Sequence, residues 1–153
     1  IWIHDCSIWN QDDCIACKGG TNMLFERIIA SGLGLTIGSL GSGTTRNITF
    51  RDCSMRNTFK GIYMKFNVGA INELGVLADV LYEDIRIEQP RQWPIWIGPA
   101  QQSVGGDAQN ICKANPCSLC WPYVPPAECN APPMGLFANI TLRNVTIIDP
   151  KTS

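Results

Sequence analysis

The stretch "ITFRDCSMRN" (residues 48–57) decides the fold, because its pattern recurs along the chain. Four other ten-residue segments superimpose on it without gaps: "IWIHDCSIWN" (1–10), "MLFERIIASG" (23–32), "VLYEDIRIEQ" (80–89) and "ITLRNVTIID" (140–149). In each segment the first, third, sixth and eighth positions are almost all apolar, whereas the fourth and fifth are almost all polar or charged. Period-two alternation interrupted by one polar step predicts a strand, a corner and a second strand.

The spacing of these segments is that of a coil. They begin 22, 25, 32 and 60 residues apart, and an Asn or Asp precedes four of them: Asn22, Asn47, Asp79 and Asn139. At about 3.3 Å per residue, the shortest spacing traces a circuit of roughly 70 Å, which suffices for one three-sided coil. Such repeats cannot bury their apolar faces alone and must stack. The sequence therefore predicts an all-β, right-handed parallel β-helix. A β-sandwich is the alternative. However, sandwich strands joined by loops as irregular as those of this chain would not preserve one ten-position register.

A second strand follows each of the first four segments, in "DDCIACK" (12–18), "GLTIGS" (34–39), "GIYMKF" (61–66) and "PIWIG" (94–98). Alternation predicts that one face points into the core with Cys14, Ala16, Leu35, Ile37, Ile62, Met64, Ile95 and Ile97. The other face then carries Asp13, Ile15, Cys17, Thr36, Gly38, Tyr63, Lys65, Trp96 and Gly98. We expect this second set to line a trough along the outside of the coil.

Composition narrows the classes of partner. Charged residues make up 16% of the chain, below the roughly 25% of an average soluble domain. The net charge of −1 gives no electrostatic reason to expect nucleic acid or an anionic membrane as partner. No apolar run reaches the roughly 18 residues that a membrane span needs. We expect one partial β-helix domain over residues 1–153, with neither nucleic acid nor a membrane as partner. We also expect it to act as a monomer.

The ends and the modification motifs indicate where the protein works. The chain opens on "IWIHDC" without Met or a targeting segment, as expected of a mature product or of a fragment that lacks its N-terminal coils. Glycosylation sequons occur at Asn47, Asn139 and Asn144. Together with eight cysteines they favour a secreted, extracellular protein.

The cysteines fall into two groups. Cys6 and Cys53 share one repeat position and lie two coils apart, roughly 9.6 Å, which predicts two buried free thiols. The other group lies in the segment 99–135, which is dense in Pro, Gly and Ala and interrupts the repeat; it comprises Cys112, Cys117, Cys120 and Cys129. Two disulfides would staple this insertion, with three connectivities open. Zinc is the competing interpretation, because Cys117 and Cys120 have ligand spacing.

The adjacent carboxylates of Asp12 and Asp13 stand at the entrance to the second strand. They lie in register with a trough that also offers Lys65 and the aromatic rings of Tyr63 and Trp96. Glycosidic hydrolysis needs one acid that protonates the leaving oxygen, another carboxylate that activates water, and aromatic rings that stack on sugars. The alternative is a solvated turn in which the two Asp side chains cap backbone N–H groups.

Three motifs resemble those of glycoside hydrolase family 28, the polygalacturonase family. They are "NQDDCIA" (10–16), "GLGLTIGSLG" (32–41) and "GIYMKF" (61–66), and the match is most specific over residues 8–66. The resemblance implies a pectin-lyase-like solenoid without metal or organic cofactor. It implies that Asp12 is the general acid, that Asp13 helps to activate the inverting water, and that Lys65 binds a galacturonate carboxylate. The family's remaining base would fall before Ile1.

The chain departs from the family pattern at three positions. Leu33 stands where the family has His, Tyr63 stands where it has Arg, and Ile29 stands where a Cys usually partners the Cys of the carboxylate motif. Loss of the His and the Arg removes much of the ordinary contact with galacturonate, whereas Tyr63 and Trp96 suit stacking on a sugar. These departures extend the expected substrates to substituted or branched pectin.

The resulting hypothesis is an inverting glycoside hydrolase that acts on pectic polysaccharide, with Asp12 and Asp13 as catalytic residues and Tyr63, Lys65 and Trp96 as binding residues. One alternative is a carbohydrate-binding or cell-surface β-helix that has lost catalysis, which the changes at residues 33 and 63 favour. A polysaccharide lyase ranks last, because such lyases hold Ca²⁺ in acidic clusters and use an Arg base, which this trough lacks.

Overall fold

The protein is described from a computed structural model, which describes residues 1–66, 74–99 and 135–151. These residues form strands and no helix: β1 (Trp2–Trp9), β2 (Asp13–Cys17), β3 (Thr21–Ser31), β4 (Gly34–Leu40), β5 (Gly43–Arg56), β6 (Ile62–Phe66), β7 (Gly75–Glu88), β8 (Ile95–Pro99) and β9 (Gly135–Ile148). Accordingly, the described part of the chain holds no helix that is long and apolar enough to cross a membrane.

The strands form two parallel sheets that the chain visits in turn. The odd-numbered strands make the long sheet, in the order β1-β3-β5-β7-β9, and the even-numbered strands make the short sheet, in the order β2-β4-β6-β8. Each return to a sheet adds one strand beside the previous one, and every described pair is parallel. This is the predicted parallel β-helix.

The register of the long sheet is the one that the repeat predicts. Met23 pairs with Ile48, Ile48 with Val80, and Val80 with Ile140, so the first positions of these segments stack directly. The strands bend at residues with φ between +47° and +59°, and ten of the twelve such residues are Asn or Asp. Asn and Asp tolerate this left-handed conformation better than other residues with a side chain. The polar positions of the repeat are therefore the corners of the coil.

Aromatic stacking marks the centre of the coil. The rings of Phe25, Phe50 and Tyr82 lie one above another, with centroids 4.6 Å apart at both steps. Each such pair adds about 0.5–1.5 kcal/mol beyond the burial of its area. Tyr82 donates its hydroxyl to the carbonyl oxygen of Leu35 at 3.1 Å, and burial raises the pKa of this phenol well above its ordinary value. The core thus joins the long sheet to the short one.

The alternation predicted for β2 is wrong in its second half. The pairing of β2 with β4 shifts between Asp13 and Ile15, which sets Ile15 beside Leu35 and Cys17 beside Ile37. Ile15 therefore packs against the core and Cys17 is buried within it, whereas Ala16 is exposed. Cys14 is buried, as predicted. A single extra residue in a strand reverses the facing of every residue after it, and composition does not reveal it.

The predictions for the cysteines meet different outcomes. Cys53 is a buried free thiol, and burial raises its pKa to about 11. Cys6 is also free, but it is half-buried rather than buried, because β1 is the edge strand of the described sheet. The segment 99–135, apart from its two end residues, lies outside the described residues. The predicted disulfides of that segment therefore stay predictions for Cys112, Cys117, Cys120 and Cys129.

The three sequon asparagines are exposed at corners of the long sheet. Each donates its side-chain amide to the coil below: Asn47 to Asn22 at 2.6 Å, Asn139 to Asp79 at 2.8 Å and Asn144 to Asp84 at 2.6 Å. These bonds form a ladder along the solenoid. Glycosylation of the three residues stays a prediction.

Candidate functional site

The trough predicted on the short sheet is present as one row of side chains. Thr36 of β4 pairs with Tyr63 of β6, and Tyr63 pairs with Trp96 of β8. Lys65 lies two residues beyond Tyr63 and therefore on the same face of β6. The alternation of three consecutive strands thus brings these residues together, as the sequence predicts.

Asp13 contacts this row and is almost enclosed by it. Thr36 donates its hydroxyl to one carboxylate oxygen of Asp13 at 2.6 Å, and Lys65 donates its ammonium to the other at 3.2 Å. The side chains of Asp13 and Lys65 are only 9% and 10% exposed. A buried ion pair compensates its desolvation only when further hydrogen bonds satisfy its atoms, and Thr36 supplies one here. Both oxygens of Asp13 are thereby fixed in place.

Asp12 occupies a different environment on the same turn. Asp12 is exposed, and its carboxylate accepts a hydrogen bond from the backbone N–H of Asp13 at 2.8 Å. The turn is held by Asn10, whose side chain accepts from the N–H of Asp12 at 3.3 Å and donates to the carbonyl of Asp13 at 3.0 Å. The alternative, in which the two Asp side chains only cap backbone N–H groups, therefore holds in part for Asp12. It does not hold for Asp13, whose carboxylate bonds to the side chains of Thr36 and Lys65.

Two glycines let the backbone of the short sheet close around this site. A Cβ at Gly34 would lie 2.5 Å from the carbonyl oxygen of Gly61, and a Cβ at Gly38 would lie 2.1 Å from that of Lys65. Gly34 and Gly38 also have φ of +145° and +119°, which residues with a side chain rarely adopt. The close approach of β4 to β6 beside Lys65 therefore requires glycine.

Tyr63 is covered rather than open. Tyr63 is 2% exposed, and the ammonium groups of Lys65 and Lys60 lie 4.2 and 4.9 Å from the centre of its ring. A cation over an aromatic face is attracted by the negative face of the ring's quadrupole. In this structure the ring therefore packs against two lysines, and its predicted contact with a sugar stays a prediction.

Lys60 and Gln92 are the residues that sequence reasoning missed. Lys60 is 2% exposed and donates its ammonium to the side-chain oxygen of Gln92 at 2.7 Å. Burial, helped by the charge of Lys65, lowers the pKa of Lys60 to about 8, against the opposing effect of Asp13. Both residues lie at corners outside the alternating strands, where periodicity carries no information. A lysine directly before the aligned strand "GIYMKF" was the available signal.

Trp96 ends the described row. It is half-buried, and its ring meets that of Trp93 edge to face with centroids 6.4 Å apart. Both tryptophans thus lie at the end of the trough farthest from Asp13. Stacking of Trp96 on a sugar stays a prediction.

An open cavity of about 530 Å³ flanks the turn that carries Asp12. It crosses four coils and is lined by Trp9, Asn10, Gln11, Gly32, Phe59 and Arg91, among others. Open space therefore adjoins Asn10 and Gln11, the two residues that precede Asp12. Among the described residues, no group of three His, Cys, Asp or Glu side chains is placed to hold a metal ion.

Comparison with known proteins finds one matching family and several similar relatives. The family model of the glycosyl hydrolases family 28 matches residues 1–117. The chain is 35% identical over 109 residues to endopolygalacturonase I of Aspergillus aculeatus, a match that covers 69% of this chain and 27% of that protein. It is 36% identical over 109 residues to an endopolygalacturonase of Emericella nidulans, with the same two coverages.

A third relative is a probable endopolygalacturonase C of Aspergillus niger, 34% identical over 101 residues, which are 63% of this chain and 26% of that protein. The matches thus cover only about a quarter of the length of these curated relatives. Residues 1–117, which the family model matches, include the carboxylate turn and the row on the short sheet.

Proposed function

This chain belongs to the glycosyl hydrolases family 28, and from that premise we propose that the protein hydrolyses glycosidic bonds of a pectic polysaccharide with inversion. The observation that carries the proposal is the contrast within one turn. The side chain of Asp13 is only 9% exposed and is held through both oxygens, whereas Asp12 beside it is exposed. A turn that merely capped its own backbone would need neither the lysine nor the threonine that hold Asp13.

Asp12 is the proposed proton donor. Its carboxyl group faces solvent beside the flanking cavity, where the oxygen of a leaving sugar can reach it. A general acid must come within hydrogen-bond reach of the atom that it protonates, and an exposed side chain can do so. Proton transfer to that oxygen makes the departing sugar a neutral alcohol.

Asp13 is the proposed partner that orients the attacking water. Its two oxygens are directed by Thr36 and Lys65, so a lone pair stays in one place for a water to donate to. An inverting enzyme separates its acid and its base by roughly 6.5–9.5 Å, which leaves room for the water. We expect a further carboxylate from residues that precede Ile1, as the family resemblance implies.

The proposed setting is extracellular. The substrate is a pectin-type polysaccharide, the protein acts as a monomer, and neither nucleic acid nor a membrane is a partner. The low net charge and the exposed sequon asparagines support this setting.

Replacement of Asp12 by Asn in the full-length protein tests the mechanism. We expect release of reducing ends from pectin to fall by about 10²–10⁴-fold, the usual contribution of a general acid, while binding of the polymer persists. Asp52→Asn is the matched control, because Asp52 is an exposed corner residue of the long sheet and its replacement should leave the rate unchanged.

Other outcomes would point elsewhere. Unchanged activity of Asp12→Asn would refute the assignment of the proton donor. Polymer binding without any release by the unmodified protein would favour a carbohydrate-binding protein, and an unsaturated product that absorbs in the ultraviolet would favour a lyase.

A further inference from the structure

The flanking cavity lies outside the trough, at the corners that lead from the long sheet to the short one. Its volume of about 530 Å³ is that of a typical small-molecule site, about 300–1,000 Å³. Four successive coils line it with Trp9, Asn10, Gln11, Ser31, Gly32, Asn57, Phe59 and Arg91. Neighbouring strands lie about 4.8 Å apart, so the four coils span roughly 14 Å along the solenoid. The proposed mechanism gives none of these side chains a part.

Two aromatic rings at this cavity are open to solvent. Trp9 is 78% exposed and Phe59 is 43% exposed, although both side chains are large and mainly apolar. Trp9 ends β1 and Phe59 follows β5, so the two rings belong to coils two steps apart. Aromatic rings supply a large apolar contact area when a ligand covers them. A ligand in the cavity therefore meets apolar surface at two places.

Amide and guanidinium groups line the cavity beside these rings. They belong to Gln11, Asn57 and Arg91, and within the described ranges these three side chains make no hydrogen bond or ion pair. An amide both donates and accepts hydrogen bonds, as a hydroxyl group does, whereas a carboxylate only accepts. Arg91 carries the one charge among the residues that line the cavity. This pattern of donors and acceptors fits the hydroxyl groups of a neutral sugar better than it fits an acid.

The backbone fixes the walls of the cavity in place. Hydrogen bonds join the corners of successive coils: the N–H of Asn10 to the carbonyl of Ser31 at 3.0 Å, that of Phe59 to Gly32 at 2.8 Å and that of Arg91 to Thr58 at 2.9 Å. A Cβ at Gly32 would lie 2.2 Å from the side-chain oxygen of Asn10, so the packing of the first two coils requires glycine there. A preformed site spends less free energy on ordering when it binds.

Asn10 connects the cavity to the carboxylate turn. Its side chain lines the cavity and also bonds the N–H of Asp12 and the carbonyl of Asp13. The cavity and the trough are therefore neighbours that share one corner. A polymer whose backbone lies in the trough can direct a substituent into the cavity while Asp12 reaches its glycosidic bond.

We propose that the flanking cavity binds a neutral sugar that branches from the pectic backbone. The rings of Trp9 and Phe59 pack against the apolar face of that sugar. Gln11, Asn57 and Arg91 bond its hydroxyl groups. The inference rests on the proposed function, which places the backbone in the trough. The protein then prefers backbone units that carry such branches to bare galacturonan.

Kinetics of Trp9→Ala in the full-length protein test the proposal on two polymers with one backbone. They are a galacturonan with single xylose branches and the same polymer after removal of the xylose. On the branched polymer we expect KM to rise about tenfold with kcat little changed, the effect of losing one well-packed aromatic contact. On the debranched polymer both constants should be unchanged. Trp2→Ala is the matched control, because Trp2 is an exposed tryptophan of the long sheet whose replacement should alter neither polymer's constants.

Three further variants keep the test decisive if Trp9→Ala does not fold. Phe59→Ala and Arg91→Gln each remove one contact from another coil and should raise KM on the branched polymer alone. Trp9→Phe retains an aromatic ring and should keep KM close to that of the unmodified protein. Equal loss on both polymers, or no loss on either, would overturn the proposal and leave the cavity as open surface.

Binding separates this inference from the hydrolytic proposal. Calorimetric titration of full-length Asp12→Asn with branched and debranched oligomers of that galacturonan measures the cavity without turnover. Tighter binding of the branched oligomer, lost when Trp9→Ala is added, would support the branch site even if the unmodified protein released no reducing ends. Equal binding of both oligomers, with hydrolysis of both by the unmodified protein, would refute the branch site and leave the hydrolase proposal standing.

Discussion

The two sheets of the coil place their ion pairs in opposite environments, exposed on the long sheet and almost enclosed on the short sheet. On the long sheet, Arg51 and Arg143 both bond Glu83, at 3.0 and 2.9 Å, and the two arginine side chains are 45% and 64% exposed. On the short sheet, Asp13 and Lys65 form an almost enclosed pair, with Lys60 buried nearby. Solvated ladders contribute little to stability and are screened by salt. The charges that this fold buries at a cost lie on the sheet that carries the proposed site.

The largest expected difference follows from removing one carboxylate charge from each sheet. Asp13→Asn leaves the ammonium of Lys65 buried without its counter-ion, so we expect the free energy of unfolding to fall by about 3 kcal/mol. Asp5→Asn removes the same charge from an exposed pair with Arg27 and should leave the unfolding midpoint unchanged. Urea titrations of the two full-length variants make the comparison, and equal midpoints would contradict it.

A smaller difference is expected between two glycines. Gly38→Ala would place a Cβ 2.1 Å from the carbonyl oxygen of Lys65 at a φ of +119°, so we expect a loss of about 2 kcal/mol and weaker catalysis. Gly41→Ala meets no atom within 4 Å and should be neutral. Thermal unfolding and reducing-end assays on both variants measure the two effects. If Gly41→Ala were destabilising and Gly38→Ala neutral, the interpretation that the close approach of β4 and β6 requires glycine at residue 38 would be wrong.

A third difference concerns pH. Lys60 should titrate near its pKa of about 8, whereas on the long sheet hydrogen bonding to Arg27 holds the pKa of Asp5 far below its usual range and raises that of Arg27. The unfolded chain keeps Lys60 protonated to about pH 10.4. Between these values the unfolded state binds more protons, so the contribution of Lys60 to stability rises with pH.

The Cε resonance of Lys60, assigned by its loss in Lys60→Met, should follow this titration in an NMR experiment. The groups that face Lys60 are Lys65, Asp13 and the ring of Tyr63. A Lys60 resonance that titrates near pH 10.4, the ordinary value of a lysine, would contradict the prediction that burial on the short sheet lowers its pKa.

The parts of the molecule that repeat could be predicted from the sequence. The register of the long sheet follows from alternation, and its corners follow from the preference of Asn and Asp for left-handed backbone. Family resemblance selected the carboxylate turn. The row of Thr36, Tyr63 and Trp96 required only the register of the short strands.

What sequence reasoning missed lies where the repeat is broken. The register shift after Asp13 turned Cys17 inward, because a bulge adds one residue without changing the composition of the strand. Lys60 and Gln92 lie at corners, where no period fixes the direction of a side chain. Their meeting depends on the packing of two coils that are 32 residues apart in sequence.

The bent strands of the long sheet have a consequence for how this protein can diversify. Their corners keep one register although the intervals between successive coils range from 22 to 60 residues. Insertions are accommodated outside the repeat, so a change in loop length does not disturb the alignment of the stack. New binding specificities can therefore arise by exchange of the segments between strands, one coil at a time, while the stacked strands stay unchanged.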